Sequence, residues 1–311
     1  ARGLARFPGG RPTGVQTEFT VDGASVFDVV EDAGDRRWMA TSRGVFLADA
    51  AGTRRVLPEL TAASALATTL ALSPDGTLWV GTHSTGIWRY RNGAVTQFTT
   101  REGLPGNAIR ALHLDDQGVL WIGSLGGGLG WWRDGTFGTL DLDDGGANVG
   151  QLVPGGDGTL WVGTSTGIVQ VDRAVALTRG ADAKRVVLSG AADGLRSSQC
   201  APAFPTARGG TVDRNGRVWI ITANGLVRFD PRRLHALPRP HATRLGTIAI
   251  NGTPQLPTDE VVLATDVQRV TFEFSAAYLY APERLRYHYR LDGYDTGWID
   301  GGTRRAADYT N

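Results

Sequence analysis

The sequence contains almost no cysteine, and the side chains that commonly bind metals are scattered along it. Cys200 is the only cysteine in 311 residues, so an internal disulfide is excluded and cysteine usage indicates neither an oxidising nor a reducing compartment. The five histidines, at positions 83, 113, 235, 241 and 288, lack the spacing of a metal site. We therefore expect no metal and no cofactor.

Long apolar runs and clusters of one charge are also absent. No stretch of about 18 apolar residues and no signal-peptide pattern occurs in the given sequence, so no part of it is expected to cross a membrane. Lys184 is the only lysine, and the net charge is +1. Without a basic stripe, nucleic acid is a poor candidate partner. The 43 glycines and the lack of long amphipathic helical patterns favour an all-β chain.

One octapeptide, DGTLWVGT, is present twice, at Asp75–Thr82 and Asp157–Thr164. A related segment lies midway, and the same tryptophan recurs on both sides. The series is Trp38, Trp79, Trp121, Trp161 and Trp219. Its steps of 41, 42, 40 and 58 residues indicate a repeat of about 40 residues, with an insertion before the last copy.

Each repeat has the pattern of a four-stranded antiparallel meander. In the copy at Ile109–Phe137, four short alternating segments are separated by glycine-rich turns. Pairs such as Asp75-Gly76 suit tight hairpins in which both central residues take positive φ. Four strands per 40 residues predict β-propeller blades, and a tryptophan in every copy is expected to be buried packing between blades. The insertion predicts a short helix within Arg173–Lys184.

The ends of the repeat array suggest an incomplete ring. Arg2–Phe7 resembles the third strand of the last blade, Asn224–Phe229, so five blades and part of a sixth are expected, as part of a ring of about seven. The propeller is assigned to residues 1–240. Composition then changes, since six of the seven tyrosines lie between Tyr278 and Tyr309. Residues 241–311 are predicted to form an immunoglobulin-like β-sandwich that lacks its last part.

These features together resemble a known family. Gly103–Ser124, GLPGNAIRALHLDDQGVLWIGS, is similar to the two-component regulator propeller repeat, and Tyr287–Asn311 resembles the tyrosine-rich "three-Y" domain that follows such propellers. The resemblance implies a truncated fragment of a bacterial membrane sensor. It would be the periplasmic or other extracytoplasmic region of an inner-membrane protein, with a histidine kinase or another output domain elsewhere in the protein, and a homodimer through the three-Y domain is possible.

The sequence offers no convincing catalytic motif. Gly163–Gly167 reads G-x-S-x-G, but it joins two strands of a predicted hairpin, whereas a hydrolase nucleophile elbow joins a strand to a helix. Most carboxylates fall in predicted turns. We therefore expect this region not to be an enzyme.

Binding is expected on one edge of the propeller. In a meander, the loops after the second and fourth strands share one edge, here called the loop rim, and the Asp-Gly hairpins share the other, here called the hairpin rim. Variable polar side chains on a repeated scaffold are typical of a binding surface. The candidate ligand-binding residues of the loop rim are Arg43, His83, Ser84, Asn107, Ser124, Ser165, Arg196, Gln199 and Asn224.

Three functions fit these observations. The favoured hypothesis is an extracytoplasmic sensor of a small molecule, such as an oligosaccharide or a peptide, that relays binding through the sandwich to a cytoplasmic output domain. A propeller lyase or hydrolase would need convergent acid, base or metal ligands, and the loop rim offers only His83 and a few arginines. A protein-binding scaffold would be favoured by a large exposed apolar patch.

Overall fold

The computed structural model describes residues 3–6, 16–20, 24–60, 65–140, 142, 148–179, 183–188, 193–200, 209–234, 242–258, 260–278 and 285–310. The chain divides into two compact units, Ala1–His235, here called the propeller unit, and Ala236–Asn311, here called the sandwich unit. The sequence placed this boundary at 240/241, within the same proline-rich stretch.

The propeller unit consists of antiparallel sheets whose strands pair in chain order. A two-stranded sheet comes first, and the blades follow. The first sheet contains β1 (Gly3–Arg6) and β2 (Gln16–Thr20). Blade 1 contains β3 (Val26–Glu31), β4 (Arg37–Thr41), β5 (Gly44–Asp49) and β6 (Gly52–Leu57). Blade 2 contains β7 (Ala67–Leu72), β8 (Leu78–Thr82), β9 (Ile87–Arg91) and β10 (Ala94–Phe98).

The later blades repeat this order. Blade 3 contains β11 (Ala108–Leu114), β12 (Leu120–Leu125), β13 (Gly128–Arg133) and β14 (Thr136–Leu140). Blade 4 contains β15 (Val149–Pro154), β16 (Thr159–Thr164), β17 (Ile168–Asp172), the helix α1 (Arg173–Arg179) and β18 (Lys184–Leu188). Blade 5 contains β19 (Gly210–Val212), β20 (Val218–Thr222) and β21 (Gly225–Phe229). The predicted all-β propeller class is confirmed, and α1 lies within the predicted insertion.

The first strand of each blade lies at one edge of its sheet, and these inner strands pack against one another in succession. Strand β3 contacts β7, β7 contacts β11, β11 contacts β15, and β15 contacts β19. Blades therefore stack side by side, so that each sheet buries the apolar face of its neighbour. This is the packing that a single amphipathic meander cannot achieve alone.

Several residues of the repeated octapeptide have distinct structural roles, as its first copy shows. Trp79 packs against Trp132 of blade 3, with ring centroids 4.7 Å apart. A Cβ atom at Gly81 would lie only 2.6 Å from Cγ2 of Ile109 in the next inner strand, so glycine allows blade 3 to approach. The Thr82 hydroxyl donates a hydrogen bond of 2.8 Å to the Gly86 carbonyl and closes the following turn. The segment thus sets the distance between blades.

Four of the five repeat tryptophans are buried as expected, and the fifth is not. Trp38, Trp79, Trp121 and Trp161 are at most 4 % exposed, and each packs in a cluster with apolar residues of the next blade. Trp219 is only half-buried. Its ring is covered instead by the Arg228 guanidinium, 5.5 Å from the ring centroid. The expectation that all five tryptophans are core residues therefore fails in blade 5, because no apolar face of a later blade packs there within the described part of the propeller unit.

The Asp-Gly hairpins differ from the predicted geometry. At Ser73–Gly76 the Gly76 amide donates to the Ser73 carbonyl, and Gly76 has φ of 82°. Asp75 is not among the positive-φ residues, so the turn is type I followed by a glycine bulge, in which only the glycine needs positive φ. Two-residue loops with positive φ at both positions do occur, at other hairpins. They are Asn92-Gly93, Asp134-Gly135 and Asn251-Gly252.

The sandwich unit has a four-stranded and a two-stranded sheet, with the order β23-β22-β24-β27 in the first and β25-β26 in the second. Its strands are β22 (Arg244–Ile250), β23 (Thr253–Gln255), β24 (Arg269–Ser275), β25 (Tyr287–Tyr289), β26 (Ile299–Gly302) and β27 (Ala306–Thr310). Aromatic side chains link the elements. The Tyr309 hydroxyl donates to Oδ2 of Asp295 at 2.6 Å, and desolvation together with this bond raises the pKa of Tyr309.

None of the described helices has the length and apolar character required to cross a bilayer. Gly163–Gly167 spans the turn between β16 and β17, the strand-to-strand context expected for this sequence. The described residues also contain no group of three or more histidine, cysteine, aspartate or glutamate side chains able to hold a metal ion.

Candidate binding site on the loop rim

The turn after the second strand of each blade is closed by the same hydrogen bond. A threonine or serine hydroxyl in the last two residues of that strand donates to the carbonyl of the glycine that begins or directly precedes the third strand, over 2.8 to 3.1 Å. The donor and acceptor pairs are Thr41 and Gly44, Thr82 and Gly86, Ser124 and Gly128, Thr164 and Gly167, and Thr222 and Gly225. The turn backbone is thereby fixed, and only the side chains between these two positions vary from blade to blade.

These turns are also tied to the segment that leads into the next inner strand. The Gly86 amide donates to the Asn107 carbonyl at 2.9 Å, and Oδ1 of Asn107 accepts a hydrogen bond from the Thr100 amide. One blade later, the Gly126 amide donates to Oδ1 of Asn148 at 2.7 Å. Asn148 follows Asn107 by one repeat period, a signal in the sequence that could have identified it. Hydrogen bonds therefore connect the loop-rim turns of blades 2 and 3 to the segments that lead into blades 3 and 4.

The nine predicted residues separate by exposure. Those with exposed side chains are Arg43, His83, Ser84, Arg196, Gln199 and Asn224, whereas Asn107 and Ser165 are partly buried. Ser124 is fully buried, and its hydroxyl is used in the turn bond to Gly128. Six side chains thus face solvent, and the other three serve the local structure in the form described here.

The structure brings three of the nine together at blade 5. Nδ2 of Asn224 donates to the Arg196 carbonyl at 3.4 Å, and the amide of the neighbouring Ala223 donates to the Gln199 carbonyl at 2.9 Å. Arg196, Gln199 and Asn224 therefore form one exposed polar cluster, here called the blade 5 cluster. Arg43, His83 and Ser84 lie on the turns of blades 1 and 2. The six exposed residues offer hydrogen-bond donors and acceptors, and a cation at each end of the described series of blades.

Between the inner strands lies a cavity of about 470 Å³ that the sequence did not single out. Its walls are the ends of β7, β11, β15 and β19 nearest the hairpin rim, and the nine predicted residues are not among its lining residues. His113 is the one ionisable side chain that lines it within the described chain. Each inner strand is the edge of its sheet, so one side of its backbone has no partner strand in that sheet. The sequence gives little indication of this cavity, because alternating apolar strands have the same pattern whether they line a channel or fill a core.

The inner strands also carry buried polar side chains that bridge neighbouring blades. Oδ2 of Asp28 accepts a hydrogen bond of 2.8 Å from the Leu70 amide, and Thr68 donates to the Ile109 carbonyl at 2.9 Å. Gln151 bonds both peptide groups of Ile221, accepting from its amide at 3.1 Å and donating to its carbonyl at 2.7 Å. A displacement of one blade is therefore transmitted to the next through hydrogen bonds in the interior, where their loss is costly.

Comparison with known proteins identifies the repeat and the fold. Residues 103–126 match the family model "Two component regulator propeller", so the resemblance predicted from this blade is confirmed. No curated protein matches the chain.

Among solved structures, the chain is similar to the extracellular domain assigned to a hybrid two-component system of B. thetaiotaomicron, at 16% identity and a TM-score of 0.66, covering 96% of this chain and 42% of that one. A second such domain from the same organism gives 17% identity and a TM-score of 0.51, covering 92% of this chain and 39% of that one. PorZ, a surface component of the type-IX secretion system of Porphyromonas gingivalis, gives 15% identity and a TM-score of 0.54, covering 74% and 36%. The chain spans less than half the length of each, and these similarities concern the fold.

Proposed function

We propose that this chain is the extracytoplasmic ligand-sensing region of a two-component or related transmembrane signalling receptor. In this proposal the propeller unit binds a soluble small molecule, such as an oligosaccharide or a peptide, at the loop rim. Binding is relayed through the sandwich unit, which follows it in the chain, to an output domain in the cytoplasm. The region binds its ligand and releases it unchanged.

The match of residues 103–126 to the two-component regulator propeller model is the observation that carries the proposal. Similarity to extracellular domains of two hybrid two-component systems over more than nine-tenths of this chain supports it, since the fold of the relatives extends through both units. The described residues gather no metal-ligand cluster, and the exposed loop-rim side chains do not converge on a general acid and base. Recognition needs only the polar groups that the loop rim does present.

The coupling between blades supplies a route for the relay. A ligand that contacts the blade 5 cluster touches a loop whose Cys200 amide donates to the Thr164 carbonyl of blade 4 at 2.8 Å. Gln151 in turn joins blade 4 to blade 5 on the inner side. A change in the position of one turn therefore alters the packing of the next blade. A ligand shifts this equilibrium only by its difference in affinity between the two arrangements.

The proposal is tested by screening oligosaccharides and peptides by titration calorimetry against the chain and against a variant that carries His83→Ala, Arg196→Ala and Gln199→Ala. We expect binding to the wild-type chain that falls by at least about tenfold in the triple variant, since each lost polar contact contributes roughly 1 kcal/mol. Mass spectrometry of the recovered ligand is expected to show no product.

A matched control carries Gln117→Ala and Arg214→Ala, two exposed side chains on the hairpin rim. This variant is expected to bind like the wild-type chain. Equal binding by the triple variant would place the site elsewhere, and steady product formation would replace the sensor by an enzyme.

A further inference from the structure

A position six residues before each repeat tryptophan differs between blades in a way that bears on binding. The residues at this position are Asp32, Ser73, Asp115, Gly155 and Asp213. In blade 3, the Trp121 indole N–H donates to Oδ2 of Asp115 at 2.9 Å. In blade 5, the Trp219 indole donates to Oδ2 of Asp213 at 3.0 Å. In blades 3 and 5 a carboxylate at this place thus satisfies the tryptophan nitrogen, whereas in blade 1 Asp32 bonds Gly34 and Arg36 and the Trp38 nitrogen has no partner among the described residues.

Blade 2 has the tryptophan but not the carboxylate. Ser73 occupies the position, and the Trp79 indole N–H forms no hydrogen bond within the part of the chain that the structure describes, although the side chain is only 1 % exposed. Trp79 and Ser73 line a cavity of about 270 Å³ that opens on the hairpin rim. Trp79 Nε1 is not among the fully buried atoms without a partner in the described residues, so its N–H is accessible from this space and can donate to an acceptor that the chain does not itself supply.

The same cavity carries an excess of positive charge. The Arg89 guanidinium lies 5.8 Å from the Trp79 ring centroid and 5.3 Å from that of Phe98, and it makes no ion pair among the described residues. Arg91, which also lines the cavity, pairs with Asp75 at 3.2 Å. Hydrogen bonds from Thr77 hold the pKa of Asp75 below its usual range, so this carboxylate is ionised and compensates one arginine. The second arginine is left for an external anion.

Blade 5 shows what the complete arrangement looks like. Arg228 pairs in register with Trp219 on the second and third strands of blade 5, as Arg89 pairs with Trp79 in blade 2. The Arg228 guanidinium lies 5.5 Å from the Trp219 ring, and Asp213 provides the carboxylate. Blade 2 therefore contains the tryptophan and arginine of this set, with a cavity beside the serine that replaces the carboxylate.

We propose that the blade 2 cavity, formed by Ser73, Trp79, Arg89, Arg91 and Trp132, binds a small organic carboxylate. The carboxylate takes the place that the aspartate side chain holds in blades 3 and 5, where it accepts the Trp79 N–H and pairs with Arg89. Trp132, from blade 3, offers an indole face against which a sugar ring or another flat body can pack. A uronic acid has this combination of carboxylate and ring. The site lies on the hairpin rim, so the inference does not depend on the proposed loop-rim site.

The test uses glucuronate, acetate and inorganic sulfate as probes, with glucose as the neutral control, measured by calorimetry and by tryptophan fluorescence. Glucuronate is expected to bind, acetate more weakly, and glucose not measurably. Stronger binding of sulfate than of glucuronate would overturn the assignment to a carboxylate, and the absence of binding by every carboxylate would overturn the site.

Variants at one position separate the site from a general effect on folding. Ser73→Asp supplies the missing carboxylate from the chain itself and is expected to weaken glucuronate binding by about tenfold or more, with a melting temperature no lower than that of the wild-type chain. Ser73→Ala adds no carboxylate and is expected to bind within about twofold of the wild-type chain, on the same scale. Equal binding by Ser73→Asp and the wild-type chain, or equal loss in both variants, would contradict the proposal.

The arginines supply a second, matched pair. Arg89→Gln removes the unpaired cation of blade 2 and is expected to weaken binding by about tenfold, whereas Arg228→Gln, at the same register position in blade 5, should leave it unchanged. Loss of binding in Arg228→Gln alone would move the carboxylate site to blade 5.

Discussion

Replacing Asp115 by alanine should destabilise the propeller unit far more than the same change at Asp213. The Asp115 carboxylate accepts hydrogen bonds from the Gln117 and Val119 amides and from the Trp121 indole, each at 2.9 Å. It also pairs with Arg173 of blade 4 at 3.3 Å, and its side chain is only 2 % exposed. The alanine variant leaves the buried Trp121 indole N–H without its acceptor, whereas the Arg173 guanidinium keeps its bond of 3.1 Å to Asp116. Each buried donor left without an acceptor costs about 1 to 3 kcal/mol, which gives roughly 3 to 5 kcal/mol for the indole and the buried Val119 amide together.

The assay is thermal unfolding followed by tryptophan fluorescence and far-UV circular dichroism. At roughly 2 to 4 °C per kcal/mol for a domain of this size, Asp115→Ala should lower the melting temperature by roughly 10 °C. Asp213→Ala is the matched control, because Asp213 makes the equivalent bonds to Asn215, Arg217 and Trp219 in blade 5. There the carboxylate is partly exposed and Trp219 is half-buried, so water can replace the lost acceptor. Equal shifts in the two variants would refute the argument from burial.

Two further predictions concern the loop rim and the single thiol. Gly86→Ala should unfold the protein or prevent its accumulation, since Gly86 has φ of 83° and an added Cβ would collide with the Phe98 carbonyl. Gly76→Ala has a similar φ of 82° but lies in open space, so it should lower the free energy of unfolding by only about 1 to 2 kcal/mol. Similar melting temperatures for the two variants would contradict this prediction. Burial raises the pKa of the Cys200 thiol to about 11. A disulfide reagent near neutral pH should therefore label the native protein roughly a hundredfold more slowly than the urea-unfolded chain. Equal labelling rates would show that the thiol is accessible.

The sequence predicted the architecture well, because repeated packing leaves a repeated pattern. In blades 1 to 4 the repeat tryptophan fills the space beside the next blade, and Gly81 is required by the approach of Ile109 from that blade. The glycines after each turn follow from backbone angles that other residues rarely adopt. Strand order, blade number and the short helix of blade 4 could therefore be predicted from one chain.

The hairpin geometry and the burial of Trp219 differ from the sequence prediction because both depend on the spatial surroundings of a residue. The Asp75-Gly76 pair is compatible with two hairpin geometries, and the Pro74 that precedes it favours the type I turn that is observed, since proline supplies the φ of its first central position. Trp219 follows the pattern of the other tryptophans, but its burial depends on a neighbouring surface that its own segment does not encode.

The candidate sites were harder to predict, and for different reasons. The exposed loop-rim side chains could be located because turns of a meander alternate between two edges, yet Ser124 looks as polar as Ser84 in sequence although one is buried in its turn and the other is exposed. The blade 2 cavity depends on Ser73, Arg89 and Trp132, which belong to three strands or turns and two blades. No local pattern connects them.

Because the blades are repeats of one sequence pattern, equivalent positions in different blades serve as internal references for one another. At the start of each inner strand, equivalent positions carry Asp28, Thr69, Ala111 and Gln151. Asp28 and Gln151 bond to the backbone of the next blade, Thr69 donates back to Asp28, and Ala111 can do neither. Where some blades satisfy a polar group from within the chain and another does not, the difference reflects either a weaker contact between blades or a partner from outside. Position 111 carries no unsatisfied polar atom of its own side chain, so it belongs to the first kind. Position 73 leaves an indole donor and a cation beside a cavity, so it belongs to the second.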